Sequence, residues 1–235
     1  MSAPSTKSLF RATKRKVKKD RKQTEIGDMP EIAPERDDKR ISDDFYPTAQ
    51  PEAIRALLHR EHDRLAGVKF IWEPAVGAGD MAREIESHGF SVIGSDVVDR
   101  GWPNTILRSY FSFPIAYART IITNPPYDQI NARDGKGAWL RHTLDLPGVR
   151  YAAFLLSWDW PAARQNGLGA LLDARPFSYC YLMRWKLDFT GQGSPPQRNA
   201  WFVWDMDNPP PPGGDPGFRW LDRTDGRQGG LFDGQ

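Results

Sequence analysis

The sequence has one cysteine, Cys180, so an internal disulfide is impossible and the commonest sign of an exported protein is missing. Histidine is almost as scarce. Of the 4 present, only His59 and His62 stand at helical spacing, and they lie among Arg55, Arg60, Glu61 and Asp63 in a stretch that reads as solvent-facing, not as a zinc site. No apolar run approaches the ~20 residues of a membrane-spanning helix. A surplus of charge is also missing, since the formal net charge is +2. These absences predict a soluble, cytoplasmic protein without a metal centre or a membrane anchor.

The small net charge conceals an uneven distribution. Residues 1–40 contain 12 Lys and Arg against 7 Asp and Glu, which leaves the rest of the chain mildly acidic. Attraction to a polyanion must therefore come from a local patch or from the N-terminal arm. Residues 7–22 have only Leu9, Phe10 and Val17 as larger apolar residues, so this segment cannot bury a face and is expected to be disordered by itself. Its consecutive lysines and lack of amphipathic spacing argue against a transit peptide. A solubilising arm and a nucleic-acid-binding arm are both compatible with it.

With 235 residues, 39% of them apolar, the chain can bury one sizeable core. The expected organisation is a basic arm over 1–42, one domain over 43–205 and a disordered Pro- and Gly-rich tail over 206–235. Residues 51–65 carry Ala53, Ile54, Leu57, Leu58 and Leu65 at helical spacing, with Pro51 suited to the first turn. The pattern then switches: strand 69–72, turn 77–79, helix 81–88 and strand 90–95, ending at Asp96, form a βαβ unit. A weak third strand over 105–107, a fourth over 119–123, a helix over 138–146 and a fifth strand over 151–156 follow. A helix over 161–172, interrupted by Gly167 and Gly169, precedes strands 177–183 and 200–204, which flank a Gly- and Pro-rich loop. Strands alternating with helices and then a closing antiparallel β-hairpin predict an α/β fold with a doubly wound sheet and a mixed-direction edge.

The fourth strand delivers Asn124-Pro125-Pro126-Tyr127. Two prolines lack N–H donors and fix φ, so the strand ends in a rigid turn just past Thr123 whose carbonyls are left to accept. The Asn124 side-chain oxygen and the Pro125 carbonyl can both accept from one exocyclic NH2 while Tyr127 stacks on the attached ring. An Asn-Pro turn without a ligand is the other reading of these residues. Trp158 and Trp160, just beyond the fifth strand, are candidates for the opposite wall of a substrate site or for core packing.

Glu73-Pro74-Ala75-Val76-Gly77-Ala78-Gly79-Asp80 lies where a strand turns into a helix, and glycine there permits a ligand to approach the backbone. Asp96 follows the glycines by about twenty residues at the end of the next strand, where a carboxylate can accept both hydroxyls of a ribose. The third glycine of a dinucleotide fingerprint is missing. Glu73 and Asp80 would oppose a pyrophosphate but do not penalise a ligand without phosphate, such as S-adenosylmethionine.

This turn is similar to the cofactor motif of class I S-adenosylmethionine-dependent methyltransferases, and Glu73-Pro74 before the glycines is similar to their adenine-modifying branch. Asn124-Pro125-Pro126-Tyr127 resembles the catalytic motif of amino-methyltransferases. The order, cofactor motif first, resembles that of one group of N6-adenine-specific DNA methyltransferases of small phage or bacterial type. Tyr46-Pro47-Thr48 resembles the element that closes over the methionine end of the cofactor in those enzymes. Ala200-Trp201-Phe202-Val203-Trp204 is similar to their late strand, with Gly191-Gln192-Gly193-Ser194 near the target base.

The resemblance, over residues 43–205, implies a Rossmann-like methyltransferase sheet that binds S-adenosylmethionine and works in a bacterial or phage-infected cell. It implies cofactor contacts by Tyr46, Pro47, Thr48, Glu73, Pro74, Gly77, Gly79, Asp80, Asp96 and Val97, and catalysis by Asn124, Pro125, Pro126 and Tyr127 on the N6 of adenine in DNA. One departure stands out. Where the family places an Asp near the end of the third strand to accept from the cofactor's adenine amino group, this chain has Arg108-Ser109-Tyr110-Phe111-Ser112, so a serine or a backbone carbonyl takes that part.

Methyltransferases of RNA bases and of protein glutamine resemble the same four catalytic residues, and a silent nucleic-acid-binding module would keep the fold without the chemistry. The basic arm favours a nucleic acid. Insertions between strands are too short for a separate target-recognition domain. Near the end, Gln228-Gly229-Gly230-Leu231-Phe232 resembles the short peptide with which bacterial replication proteins dock on the sliding clamp, through Gln228, Leu231 and Phe232.

Overall fold

The computed structural model describes residues 51–131, 136–162, 167–188, 198–211 and 214–223. Eight strands form one sheet in the order β3-β2-β1-β4-β5-β7-β6-β8. They are β1 (Phe70–Glu73), β2 (Ser91–Asp96), β3 (Ile106–Leu107), β4 (Thr120–Thr123), β5 (Tyr151–Ser157), β6 (Tyr179–Met183), β7 (Asn199–Asp205) and β8 (Gly217–Leu221). β1 pairs in parallel with β2 and β4, and β4 in parallel with β5. β7 runs antiparallel to both β5 and β6, as the expected hairpin requires.

The central strands are mostly apolar, with Thr120, Thr123, Asn199 and Asp205 as buried polar exceptions, because both of their faces are covered. Every residue of β4 and β7 is buried, as are the first six of β5. One face of the sheet carries Trp72, Ile121, Phe154 and Phe202 and packs against Ile130, Trp139, Leu140 and Leu168. The other carries Ile71, Ile122, Leu155 and Trp201 and packs against Ile54, Leu57, Met81 and Ile85. Each large side chain buried in this way contributes roughly 1.5 to 3 kcal/mol. The helices behind these contacts are α1 (Glu52–Arg60), α2 (His62–Leu65) and α3 (Asp80–Ser87) on the second face. On the first are α4 (Tyr127–Ile130), α5 (Ala138–Asp145) and α6 (Leu168–Ala174).

Three expectations need correction. The helix expected over 51–65 is interrupted at Glu61, whose buried carboxylate accepts hydrogen bonds from the hydroxyls of Tyr151 and Tyr181. The break expected at Gly167 in the helix over 161–172 is present, but the part before it includes a short 3-10 turn, Trp160–Ala162, and α6 begins at Leu168 and runs through Gly169. Gly167 stands at φ 76, a left-handed conformation that starts a helix but cannot continue one. Finally, part of the tail expected to be disordered over 206–235 is ordered: Gly217–Leu221 pairs in parallel with β6 and buries Leu221. Its backbone satisfies an edge of β6 that would otherwise present unpaired amides and carbonyls.

The strand order reverses between β1 and β4, where chain connections leave in opposite directions. In open α/β sheets a crevice forms at the carboxyl ends of such a pair. Those ends are Glu73 and Thr123, the residues that lead into the two motifs. Among the described residues no helix is long and apolar enough to cross a membrane, and no group of three or more His, Cys, Asp or Glu has a metal-binding arrangement. His59 and His62 are both exposed.

Candidate active site

At the end of β1 the chain passes through Glu73 into the turn that opens α3. Glu73 is 3% exposed, and burial, reinforced by the nearby carboxylates of Asp96 and Asp80, holds its carboxyl well above the ordinary value. Its Oε2 is buried with no hydrogen-bond partner among the described residues. Gly77 adopts φ 56, and its amide donates to Asp96 Oδ2 at 2.9 Å. The Val98 amide donates to Asp96 Oδ1 at 3.1 Å. Asp96 is thereby aimed from both sides by backbone at the end of β2.

Gly79 has a different reason to be glycine from the one expected. At φ 83 it caps α3, and a Cβ built on it would lie 2.0 Å from the indole of Trp102. The same indole lies 2.8 Å from where a Cβ on Gly94 in β2 would stand. Arg83 lies over the outer side of that ring at 6.0 Å and donates to Asp80 Oδ1 at 2.6 Å. Gly79 therefore accommodates a wedge from inside the protein, and it does not line the cavity described below.

β4 ends at Thr123, and the turn Asn124-Pro125-Pro126 hands over to α4. Pro126, before the start of α4 at Tyr127, is extended (φ −61, ψ 126), the ordinary conformation of an N-cap. Its carbonyl accepts from the amides of Gln129 at 3.1 Å and Ile130 at 3.2 Å. The Pro126 carbonyl is thus used within the fold, contrary to the expectation that both proline carbonyls are left to accept, and the Pro125 carbonyl is the one the turn can offer.

The two motifs meet in one cavity of about 260 Å³. Glu73, Pro74, Gly77, Asp80, Asp96 and Val97 line it from one side and Asn124, Pro125, Pro126 and Tyr127 from the other. Trp158 and Trp160 are not in its wall. Trp158 is 50% exposed, and Trp160 is buried, donating from Nε1 to the Ile130 carbonyl at 3.1 Å and packing against Phe202 and Trp204. Core packing is what the second tryptophan does. Tyr46, Pro47 and Thr48, the loop at 191–194, and Gln228, Leu231 and Phe232 lie outside the described residues.

The wall also includes the segment where an Asp was sought and one residue, Trp139, that sequence reasoning did not single out. Ser109, Tyr110 and Phe111 enter from the segment after β3, and Trp139 enters from α5. Tyr110 stacks on Trp139 with ring centroids 4.5 Å apart and shares a hydrogen bond of 2.8 Å with Thr143 Oγ1. Burial raises its phenol well above the ordinary range. Arg108, which leads into the position where an Asp was sought, turns away: its Nε donates to Ser112 Oγ at 2.8 Å. A helical-spacing pattern hid Trp139, because its ring fills the core and the cavity wall at once.

Asp80, Asp96 and Asp128, with the buried Glu73 carboxyl, line this cavity together with Arg100. Such a field favours a cation and opposes a phosphate. A buried carboxylate with an unpartnered oxygen and a second carboxylate aimed by two amides suit a ligand that carries positive charge and hydroxyl donors.

No family model matches the sequence, and no curated protein matches it. Solved structures do. A protein of Listeria monocytogenes described as a class I S-adenosylmethionine-dependent methyltransferase superposes with a TM-score of 0.52 at 13% identity, over 77% of this chain and 68% of that one. A modification subunit ascribed to a type I restriction enzyme of Vibrio vulnificus YJ016 superposes with a TM-score of 0.50 at 12% identity. That match covers 70% of this chain and 45% of the subunit, so this chain spans less than half of the subunit's length. At these identities the likeness is one of fold: the mixed sheet with antiparallel β7 between β5 and β6 is that of class I methyltransferases.

Proposed function

We propose that this chain transfers the methyl group of S-adenosylmethionine to an exocyclic amino group, the N6 of adenine in DNA. The observation that carries the proposal is the shared cavity: an amine-accepting turn at the end of β4 faces an acidic, phosphate-averse turn at the end of β1. A bound S-adenosylmethionine supplies a methyl carbon activated by a positively charged sulfur. Its groups fit the residues present. Asp96, oriented by the Gly77 and Val98 amides, accepts from ribose hydroxyls, and the buried Glu73 carboxyl, with Asp80, answers positive charge. Val97 and the aromatic wall of Tyr110, Phe111 and Trp139 offer apolar surface for a purine.

The residues of the β4 turn act on the amino group to be methylated. An aromatic amine is a poor nucleophile because its lone pair is delocalised into the ring. Acceptors at Asn124 Oδ1 and the Pro125 carbonyl draw the two N–H bonds out of the ring plane, localise the lone pair and stabilise the positive charge that develops on nitrogen. Tyr127 holds the ring. In duplex DNA the adenine must first be flipped out, at a cost of a few kcal/mol recovered by stacking and edge hydrogen bonds.

The basic arm supports a nucleic acid as acceptor, and the cavity's acidic lining admits a base while keeping the phosphates outside. The test is incubation with S-adenosylmethionine labelled in the methyl group and, in parallel, DNA, RNA or a protein lysate. Label in DNA, recovered as N6-methyladenine, is expected. Label in RNA or in protein glutamine alone would replace the acceptor, and label in none would overturn the activity.

A further inference from the structure

The strands of the second half of the sheet share a feature that the catalytic cavity does not use. β6 and β8 run in the same direction as β5, because β7 is antiparallel to both of its neighbours and β8 is parallel to β6. Their carboxyl ends and the start of β7 therefore lie on the rim of the sheet that bears the Asn124 turn. At that rim each strand presents an exposed arginine or tryptophan: Trp158 after β5, Arg198 before β7, Arg184 after β6, and Trp220 and Arg223 at the end of β8.

The two tryptophans are 50% and 53% exposed, far more than rings of that size that serve only a core. Both rim connections are tied to the sheet. The Trp158 amide donates to the Arg198 carbonyl at 3.1 Å, and the Arg184 amide to the Leu221 carbonyl at 3.0 Å. The Arg184 guanidinium lies 5.2 Å from the centre of the Trp220 ring, so cation and aromatic surface are presented together. Three strand spacings, about 14 Å, separate β5 from β8 along this rim. Asp159 beside Trp158 and Asp222 beside Arg223 temper the charge. The contact of Asp222 with Arg184 is 3.3 Å long and more than half exposed on both sides, a pair that a phosphate displaces at little cost.

We propose that this rim binds single-stranded DNA beside the target base, with bases stacked on Trp158 and Trp220 and phosphates paired with Arg184, Arg198 and Arg223. The proposal rests on the reading of the cavity as a site for a base of DNA. Aromatic faces open to solvent and interleaved with arginines form a stacking platform that only unpaired bases can use, which selects a single strand over a duplex. The carboxylate-lined cavity and the arginine-lined rim also divide the work by charge: base inside, backbone outside.

The experiment is fluorescence anisotropy with a labelled single-stranded DNA oligonucleotide and the full chain, so that the basic arm is the same in every comparison. Trp220→Ala is expected to weaken binding about fivefold or more. Arg184→Gln, a change at an exposed side chain, is expected to weaken binding and to lower the slope of log affinity against log salt by about 0.7. Unchanged affinity in both variants overturns the proposal. So does tighter binding of RNA than of DNA of the same sequence, or a change that is confined to self-association through the open edge of β8. Methyl transfer by the wild-type chain is followed separately: loss of oligonucleotide affinity in the variants, with no label ever reaching DNA, leaves the rim standing and removes the proposed activity.

Discussion

The Gly77 amide and the Asp96 carboxylate are joined at 2.9 Å, which ties the turn after β1 to the end of β2. The second oxygen of that carboxylate accepts from Val98. Both of its oxygens have further lone pairs to offer a ligand.

Asp96→Ala is expected to weaken S-adenosylmethionine binding by about tenfold or more, the scale of hydrogen bonds to a charged group. The chain should remain folded, because Asp96 lies at a strand end and is only partly buried. Calorimetric titration checks it, and an unchanged affinity would show that the nucleoside does not lie at β2.

Asn124→Ala should separate binding from turnover. Cofactor affinity is expected to stay near wild type while methyl transfer falls by about 10² or more, as when one transition-state partner is deleted. Wild-type turnover in this variant would remove the amine-acceptor mechanism.

Glu73 makes two predictions of opposite sign. Its carboxyl is held well above the ordinary 4.5, so between 4.5 and the raised value the folded chain keeps a proton that the unfolded chain has lost. Stability from this group is complete below 4.5 and is lost as pH rises through the raised value. Glu73→Gln should therefore stabilise the ligand-free chain at neutral pH and flatten its pH dependence, while weakening a cationic ligand. Denaturant melts across pH, paired with titration of S-adenosylmethionine, check both halves. A destabilised variant at neutral pH would mean that the carboxylate is compensated by a partner.

The C-terminal peptide has its own test. Recovery of the host sliding clamp by the full chain, and its loss with a double variant, Leu231→Ala and Phe232→Ala, is expected. Equal recovery by both, or none by either, removes clamp tethering as the route to newly copied DNA.

The central strands were legible because being covered on both faces favours runs dense in apolar and β-branched residues, as in Thr120–Thr123 and Tyr151–Ser157. The two motifs were legible because prolines and glycines punctuate strand ends. β8 was not, since Phe218, Arg219 and Trp220 are framed by the prolines and glycines that otherwise mark a tail, and only the waiting edge of β6 gives them a partner. Trp160 was ambiguous for a related reason. A tryptophan just past a strand end can turn to the cavity or back to the core, and the Ile130 carbonyl that draws its indole inward is thirty residues away. The aromatic lining by Tyr110 and Trp139 depends on a stacking contact between segments that periodicity does not connect.

Trp102 presses on two glycines, Gly79 at the start of α3 and Gly94 within β2. The three positions therefore form a single hereditary unit. A lineage cannot add a side chain at Gly94 without first trimming the indole, and once it has trimmed the indole the turn before α3 is no longer braced from behind. Among descendants of this chain the ring and both glycines should be kept together or lost together.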